Sequence, residues 1–221
     1  MKIADNKAKS HIITTSLVDQ VYEYLLDKII SNKISYGDTL NIKTLSETLG
    51  ISTMPVREAI KRLEFERVVE VKPRSSCQIR LPDKTEIRSI YELRELLELF
   101  AIQKFLKNFD PSRLARLGDI TLRMKAISDI KNEINGALEA MDLDLQFHSE
   151  LCTLADNDYV CYYHRLLSLH LNMAAIHAKS YDQLKSKHFQ SHFVILKNLE
   201  QKSDKALTAL EEHFNNVWAL L

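Results

Sequence analysis

Apolar residues recur along the chain at the three- and four-residue spacings of amphipathic helices. The stretch "SLVDQVYEYLLDKIIS" predicts a first helix that begins after Ser16. A second helix is predicted from Asn41 to the stop signal at Gly50, and a third follows Ser52, with Pro55 in its first turn. The inward side chains of the third helix are Val56, Ala59, Ile60 and Leu63. The pattern therefore predicts three short helices, each with its own start signal.

Short β-branched runs replace the helical pattern after the third helix. "VVEV" and "CQIRL" are predicted to be two strands of a hairpin whose tip is "KPRSS". "SYGDTL", ahead of the second helix, is predicted to be a turn, and Pro82 ends the region. Three helices followed by a hairpin are typical of a winged helix-turn-helix. We expect this module over residues 16–81, after a mobile tail at residues 1–15.

Residues 82–221 show only the helical pattern. Helices are predicted at roughly 84–107, 111–130, 134–155, 159–179, 182–201 and 204–220, separated by "DP", "NG", "DND" and "SD". Short breaks between consecutive helices favour antiparallel neighbours. The predicted fold class is therefore mainly α, with an N-terminal winged helix-turn-helix and a C-terminal all-α antiparallel helical bundle.

Composition excludes several classes of protein. Four glycines and four prolines in 221 residues are too few for a sandwich or a barrel. The cysteines Cys77, Cys152 and Cys161 form no CxxC pair, so we expect no disulfide framework and a reducing, cytoplasmic location. No apolar run approaches the roughly 20 residues that span a bilayer, and the N-terminus has no apolar signal segment. We therefore expect no membrane partner.

Charge is balanced over the whole chain but not along it. Basic and acidic side chains number 30 each. Residues 1–80 carry 13 basic and 10 acidic side chains, whereas the remainder carries 17 basic and 20 acidic ones. This asymmetry indicates a basic module joined to an acidic one.

The third predicted helix presents polar and basic side chains outward. A helix can enter the major groove of DNA, where side chains near its N-terminus reach base edges. The candidate DNA contacts on this helix are Ser52, Thr53, Met54, Arg57 and Lys61. The hairpin tip adds Lys72, Arg74, Ser75 and Ser76, for contacts with phosphate or the minor groove. The forked guanidinium of Arg57 suits guanine or phosphate. The alternative is a solvated basic face on an ordinary helix.

A second constellation lies in the helical half. In "MDLDLQFHSEL", Asp144 and His148 are four residues apart and share a helical face. His192 and His213 are equally far from the break near residues 201–204, so they face each other if the last two helices are antiparallel. One carboxylate and three imidazoles suit a divalent transition metal such as Zn, Ni, Mn or Fe, with positions left for an anionic ligand.

The alternative for any one histidine is a satisfied or exposed side chain without a functional role. We expect no functional role for the other five histidines, which are His11, His164, His170, His177 and His188. Two of these, His170 and His177, share a helical face and are the reserve metal ligands.

The N-terminal module resembles a known family. "GDTLNIKTLSETLGISTMPVREAIKRLEFERVVEV" is similar to the N-terminal module of GntR-type bacterial transcription regulators, with matches in the "PVREAI" core and the "LG" turn. The resemblance implies binding to double-stranded operator DNA. Thr53 stands where the family usually has a base-reading arginine, Arg67 replaces the glycine before the first strand, and Ser75 or Ser76 replaces the wing-tip glycine. Because glycine allows tight backbone geometry, we expect a differently shaped wing.

The helical half resembles the FCD effector domain of the FadR-like branch of the same family. In its metal-binding members, a "D..FH" string on one helix joins two later histidines. The matching residues here are Asp144, Phe147, His148, His192 and His213. Arg94 and Glu98 occupy the family's "R..LE" positions, so Arg94 is expected either to bind an effector carboxylate or to pair with Glu98.

These observations predict a cytoplasmic, ligand-responsive transcriptional regulator rather than an enzyme. We expect it to bind a near-palindromic operator as a homodimer, with the metal anchoring a small organic acid such as a sugar acid or a dicarboxylate. One alternative is a helical-bundle metalloenzyme with an accessory DNA-binding domain, whose general base would be Glu139 or Glu150. The other is a DNA-binding regulator whose helical domain only dimerises.

Overall fold

The structure is a computed structural model that describes residues 16–30, 33–72, 76–128, 134–177 and 181–218. The predicted tail at residues 1–15 lies outside the described residues. Contacts divide the chain into two compact units, one formed by residues up to 34 with 38–79 and the other by residues 35–37 with 80–221. No helix in the described ranges is long and apolar enough to cross a membrane.

The N-terminal unit consists of three helices and a small sheet. The helices are α1 (Leu17–Ile30), α2 (Ile42–Leu49) and α3 (Thr53–Phe65), and the strands are β1 (Thr39–Leu40), β2 (Val69–Lys72) and β3 (Ser76–Ile79). The strands are antiparallel in the order β1-β3-β2. This arrangement confirms the predicted winged helix-turn-helix.

Strand β1 corrects the prediction that "SYGDTL" is only a turn. Thr39 pairs with Gln78 and Leu40 pairs with Cys77. A two-residue strand is too short to show an alternating pattern, so only its pairing with β3 identifies it.

The predicted helix signals are mostly confirmed. Val56, Ala59, Ile60 and Leu63 are all buried. The Asn41 side chain caps α2 by accepting from the Thr44 amide at 3.0 Å, and Gly50 ends that helix with φ of 65°. Ser52 occupies the N-cap position of α3, but the prediction that it caps the helix is only partly right, because its side chain makes no capping hydrogen bond.

Arg67, two residues beyond the end of α3, has an unusual backbone conformation. Its φ is 60°, in the left-handed region that glycine adopts most readily. The Arg67 amide donates to the Glu64 carbonyl and the Val68 amide to the Leu63 carbonyl, each at 2.9 Å, and Val68 is buried. This pattern is a Schellman ending, which requires a left-handed residue at position 67. The conformation is therefore imposed by the helix ending although the residue is not glycine.

The C-terminal unit is an all-α bundle. Its helices are α4 (Lys84–Lys107), α5 (Ala115–Ser128), α6 (Ile134–Thr153), α7 (Asp158–His177), α8 (Tyr181–Glu200) and α9 (Lys205–Trp218). Fully buried phenylalanines from four helices, Phe105, Phe147, Phe189 and Phe214, fill the core. The predicted helix at 111–130 instead begins with a 3-10 turn, Pro111–Leu114, where the Asp110 side chain accepts from the Ser112 amide. The other predicted helices agree with the structure to within a few residues.

We predict that Arg67→Gly makes the N-terminal unit more stable than Arg67→Ala does, by about 1 kcal/mol. A Cβ in the left-handed region costs about 1–2 kcal/mol, which exceeds the roughly 0.5–1 kcal/mol of extra unfolded-state entropy of glycine. Chemical denaturation monitored by circular dichroism measures the difference. Alanine is the matched control, because it removes the same side chain but keeps the Cβ. Equal stability of the two variants would contradict the strain at position 67.

Candidate functional site

Four predicted metal ligands meet inside the C-terminal bundle. Asp144 and His148 lie on α6, His192 on α8 and His213 on α9, and one ligand atom from each lies within 4.8 Å of the others. His192 Nε2 is 3.1 Å from Asp144 Oδ1 and 3.3 Å from His148 Nε2. A carboxylate oxygen and imidazole nitrogens grouped in this way are the donors that divalent transition metals take. The residues therefore fit such an ion.

The α8–α9 hairpin explains how residues distant in sequence meet. The two helices pack against each other on either side of a turn at residues 201–204. The rings of His192 and His213 are 4.6 Å apart between centroids, and the ring of His148 is 4.9 Å from that of His213. The equal spacing from the turn therefore places the two imidazoles level with each other.

Apolar walls surround these side chains. His148, His192 and His213 are at most 2% exposed, whereas the Asp144 side chain is 19% exposed. The rings of Phe147 and Phe214 stand against the imidazoles, with centroids 4.6 Å from His192 and 5.6 Å from His213 respectively. Because such surroundings have low polarity, each polar group needs a specific partner.

Glu98 on α4 is the partner on the inner side of the cluster. Its Oε2 is 2.6 Å from His148 Nδ1, and its Oε1 is 2.9 Å from Arg94 Nε and 3.0 Å from His164 Nε2. Burial alone would raise the pKa of Glu98, but the charges of His148 and Arg94 hold that pKa well below its usual range. Burial opposes the charged form of His148, but Glu98 outweighs it, so the pKa of His148 is raised. Glu98 is thus a buried carboxylate that stays ionised.

Arg94 pairs with Glu98, which is one of its two expected roles, and one of its guanidinium nitrogens is left for the other role, which is to bind an effector carboxylate. It pairs with Glu98 through Nε, while its Nη2 is buried without a hydrogen-bond partner among the described residues. Nearby, burial raises the pKa of Tyr91 to about 12, so its hydroxyl stays protonated. An unpaired buried guanidinium nitrogen is costly, and an anionic ligand would satisfy it.

Sequence reasoning missed three contributors to this site. His164, expected to have no role, contacts Glu98, and burial lowers its pKa, so it stays neutral. Ser191 Oγ lies 2.8 Å from His213 Nδ1, and Tyr91 packs edge-to-face on Phe214. No signal in the sequence links these residues to the metal ligands. The side chains of the remaining histidines (His11, His170, His177 and His188) lie outside the described residues.

The predicted DNA contacts lie in the other unit. Ser52, Thr53, Met54, Arg57 and Lys61 are all exposed, with Met54 at 63%. Lys61 Nζ is 2.9 Å from Glu58 Oε1, so its charge is partly engaged. The other predicted contacts, at the wing tip, lie outside the described side chains: Lys72, Arg74, Ser75 and Ser76. The structure thus leaves five of the candidates exposed along α3, with Ser52 at its N-cap, Thr53, Met54 and Arg57 in its N-terminal half and Lys61 one turn further on.

Comparison with known proteins matches both units to family models. Residues 17–79 match the model "Bacterial regulatory proteins, gntR family", and residues 89–216 match the FCD domain. The gluconate operon transcriptional repressor of Bacillus subtilis is 32% identical over 133 residues, which are 60% of this chain and 53% of that protein. The HTH-type transcriptional regulator McbR of Escherichia coli is 31% identical over 110 residues, 50% of each chain. The matched stretch therefore spans about half the length of these two relatives.

Solved structures show the same fold. Escherichia coli McbR/YncC superposes with a TM-score of 0.77 at 23% identity, covering 94% of this chain and 97% of that one. At this identity the likeness concerns the fold alone.

Proposed function

Because the chain belongs to the GntR family and carries its FCD domain, we propose that it is a ligand-responsive transcriptional regulator of the cytoplasm. Residues 16–81 would bind operator DNA, and residues 82–221 would bind a metal-anchored effector and dimerise. The relatives are named as transcriptional regulators, which favours this role over the metalloenzyme alternative. Glu150, one of the two candidate bases, is paired with Arg116 at 3.2 Å.

The exposed face of α3 supports the DNA-binding part of the proposal. Thr53, Met54 and Arg57 project from the first half of the helix, the part that reaches base edges in the major groove. The opposite face, with Val56, Ile60 and Leu63, is buried in the unit's core. Arg57 has the only guanidinium among the five exposed candidates, so it is the strongest donor for guanine or phosphate.

The convergence of four ligand atoms within 4.8 Å is the observation that carries the effector-binding part. Asp144, His148, His192 and His213 would hold a divalent transition metal, for which Zn, Ni, Mn and Fe are the candidates. Such an ion supplies a Lewis-acidic centre with open positions for an oxygen ligand. The partly exposed Asp144 marks the side from which a ligand would enter.

Charge selects the class of effector. The charges of Arg94, Glu98 and Asp144 sum to minus one, and a divalent cation would bring the buried site to plus one. A carboxylate would neutralise that charge and satisfy Arg94 Nη2. Ser168, on the same face of α7 as His164, also has a buried hydroxyl without a partner among the described residues. A hydroxylated acid such as a sugar acid fits these groups, and one relative is named for a gluconate operon.

An exposed apolar strip on α4 supports the homodimer. Leu93, Leu96 and Phe100 lie at spacings of three and four residues and are 46%, 63% and 41% exposed. On α7, which packs against α4, Tyr162 and Tyr163 are about half exposed. Apolar side chains grouped on neighbouring helices mark a protein contact surface. A second copy is the occupant we propose, because a near-palindromic operator requires two-fold symmetry.

We expect Arg57→Ala to weaken operator binding by about 5- to 150-fold, since a base or phosphate contact by arginine is worth about 1–3 kcal/mol. Electrophoretic mobility shifts on a site selected from random DNA measure the change, and circular dichroism checks the fold. Arg88→Ala, an exposed arginine on α4, is the control and should bind normally. Unchanged operator affinity of Arg57→Ala would contradict the assignment of α3 as the DNA-contacting helix.

A carboxylic acid effector should stabilise the protein only when metal is bound. Differential scanning fluorimetry of untagged protein with a panel of sugar acids and dicarboxylates, with and without chelator, measures this. At a hundredfold excess over the dissociation constant, the stabilisation amounts to about 2.7 kcal/mol. Arg94→Gln should lose it while still binding metal, whereas Arg88→Gln on the same helix should retain it. Stabilisation that survives chelation would contradict the metal-anchored effector.

Leu96→Glu is expected to convert the dimer into a monomer, because a charge would be buried in the apolar contact. Light scattering coupled to gel filtration reports the mass of each species. Leu122→Glu on α5 is a closely matched control, since Leu122 is 65% exposed and Leu96 is 63% exposed. A dimer that persists in Leu96→Glu would place the contact elsewhere.

A further inference from the structure

A buried hydrogen-bond relay stands behind the ligand set. It runs from His164 on α7 through Glu98 on α4 to His148 on α6, with contacts of 3.0 Å and 2.6 Å. We propose that Glu98 is a positioning residue that orients the metal ligand His148, and that His164 holds Glu98 in place. This inference rests on the proposed metal site.

The chemistry of the carboxylate determines which nitrogen of His148 faces the metal ligands. An ionised carboxylate only accepts hydrogen bonds, so His148 Nδ1 carries the proton and donates to Glu98 Oε2. A histidine ligates metal as the neutral imidazole, so in the metal-bound form the lone pair of His148 lies on Nε2, the atom 3.6 Å from Asp144 Oδ1 and 3.3 Å from His192 Nε2. A carboxylate in this position also makes the imidazole a stronger electron-pair donor.

His164 and Arg94 occupy the other oxygen of the same carboxylate. Both reach Oε1, at 3.0 Å and 2.9 Å, which leaves Oε2 for His148. His164 donates through Nε2–H, because it is neutral and its partner is acceptor-only. Since Glu98 and His164 are at most 1% exposed, water does not compete for these bonds. The carboxylate is therefore held by residues of α4 and α7 while it contacts the metal ligand His148 on α6.

A competing role for Glu98 is simple neutralisation of Arg94. That role needs an ion pair through Oε1 and gives no reason for the 2.6 Å contact between Oε2 and a metal ligand. The two roles predict different results for metal affinity. If Glu98 only neutralises Arg94, its loss changes the stability of the metal-free protein. If Glu98 also positions His148, its loss changes the metal affinity and the ligand-field spectrum of the bound metal in addition.

The test is Co²⁺ binding to chelator-treated, untagged protein, measured by competition with a chromophoric chelator and by the absorption spectrum of bound Co²⁺. We expect Glu98→Gln to lower Co²⁺ affinity about 10- to 100-fold and to change the spectrum, as loss of an outer-shell carboxylate does. Glu92→Gln, an exposed position on the same helix, should match the wild type. Thermal unfolding of each metal-free variant separates loss of stability from loss of affinity.

A pair of His164 variants keeps the test decisive if Glu98→Gln does not fold. His164→Gln retains an N–H donor for Glu98 and should bind Co²⁺ nearly as the wild type does, whereas His164→Leu should bind it several-fold more weakly. Wild-type affinity in Glu98→Gln, or in His164→Leu if Glu98→Gln does not fold, would overturn the positioning role alone. Absence of Co²⁺ binding by the wild type would overturn the proposed metal site and this inference together.

Discussion

Ionisable groups at the centre of a helical bundle must be compensated, because an apolar interior penalises an isolated charge. Glu98 supplies that compensation in the C-terminal unit. It is fully buried, and its two oxygens contact Arg94, His148 and His164, which come from three helices. Removing this carboxylate would leave a buried guanidinium without its counter-charge. The polar centre of the bundle is therefore a single coupled unit rather than a set of separate residues.

Helix α4, which carries Glu98, has two faces with different proposed roles. On the inner face of α4, Arg94 and Glu98 belong to the proposed effector site, and on its outer face, Leu93 and Leu96 form the proposed dimer strip. If an effector binds one arrangement of α4 more tightly than another, it shifts the equilibrium toward the arrangement that it prefers. The size of this shift is limited by the difference between its affinities for the two arrangements. In the proposed dimer, this one helix would provide a short physical route from the effector to the subunit contact.

In the N-terminal unit, a smaller polar network fixes the position of α3. The Tyr22 hydroxyl on α1 donates to Glu66 at 2.6 Å, and Arg62 lies 3.6 Å above the Tyr22 ring while its Nε donates to Glu66. These contacts anchor the C-terminal end of α3 against α1. The N-terminal half of α3, with Thr53 and Arg57, remains exposed.

Local rules predicted the helices and all four proposed metal ligands. Helix bounds follow from periodicity and caps, and the pairing of Asp144 with His148 follows from four-residue spacing on one helix. Even His192 and His213 obey a nearly local rule, because equal distances from one turn place them at one height. Strand β1 has no such signal, since its two residues are identified only by pairing with β3.

The sequence by itself determined which residues are helical, which faces are apolar and which histidines lie level across the last hairpin. Only the tertiary structure decided that His164 meets Glu98, that Ser191 meets His213 and that Arg94 keeps a buried nitrogen unpaired. The reason is physical. Periodicity reports which face of a helix is buried, but the neighbour it meets depends on how whole helices pack, and that is settled by side-chain contacts spread over the entire bundle.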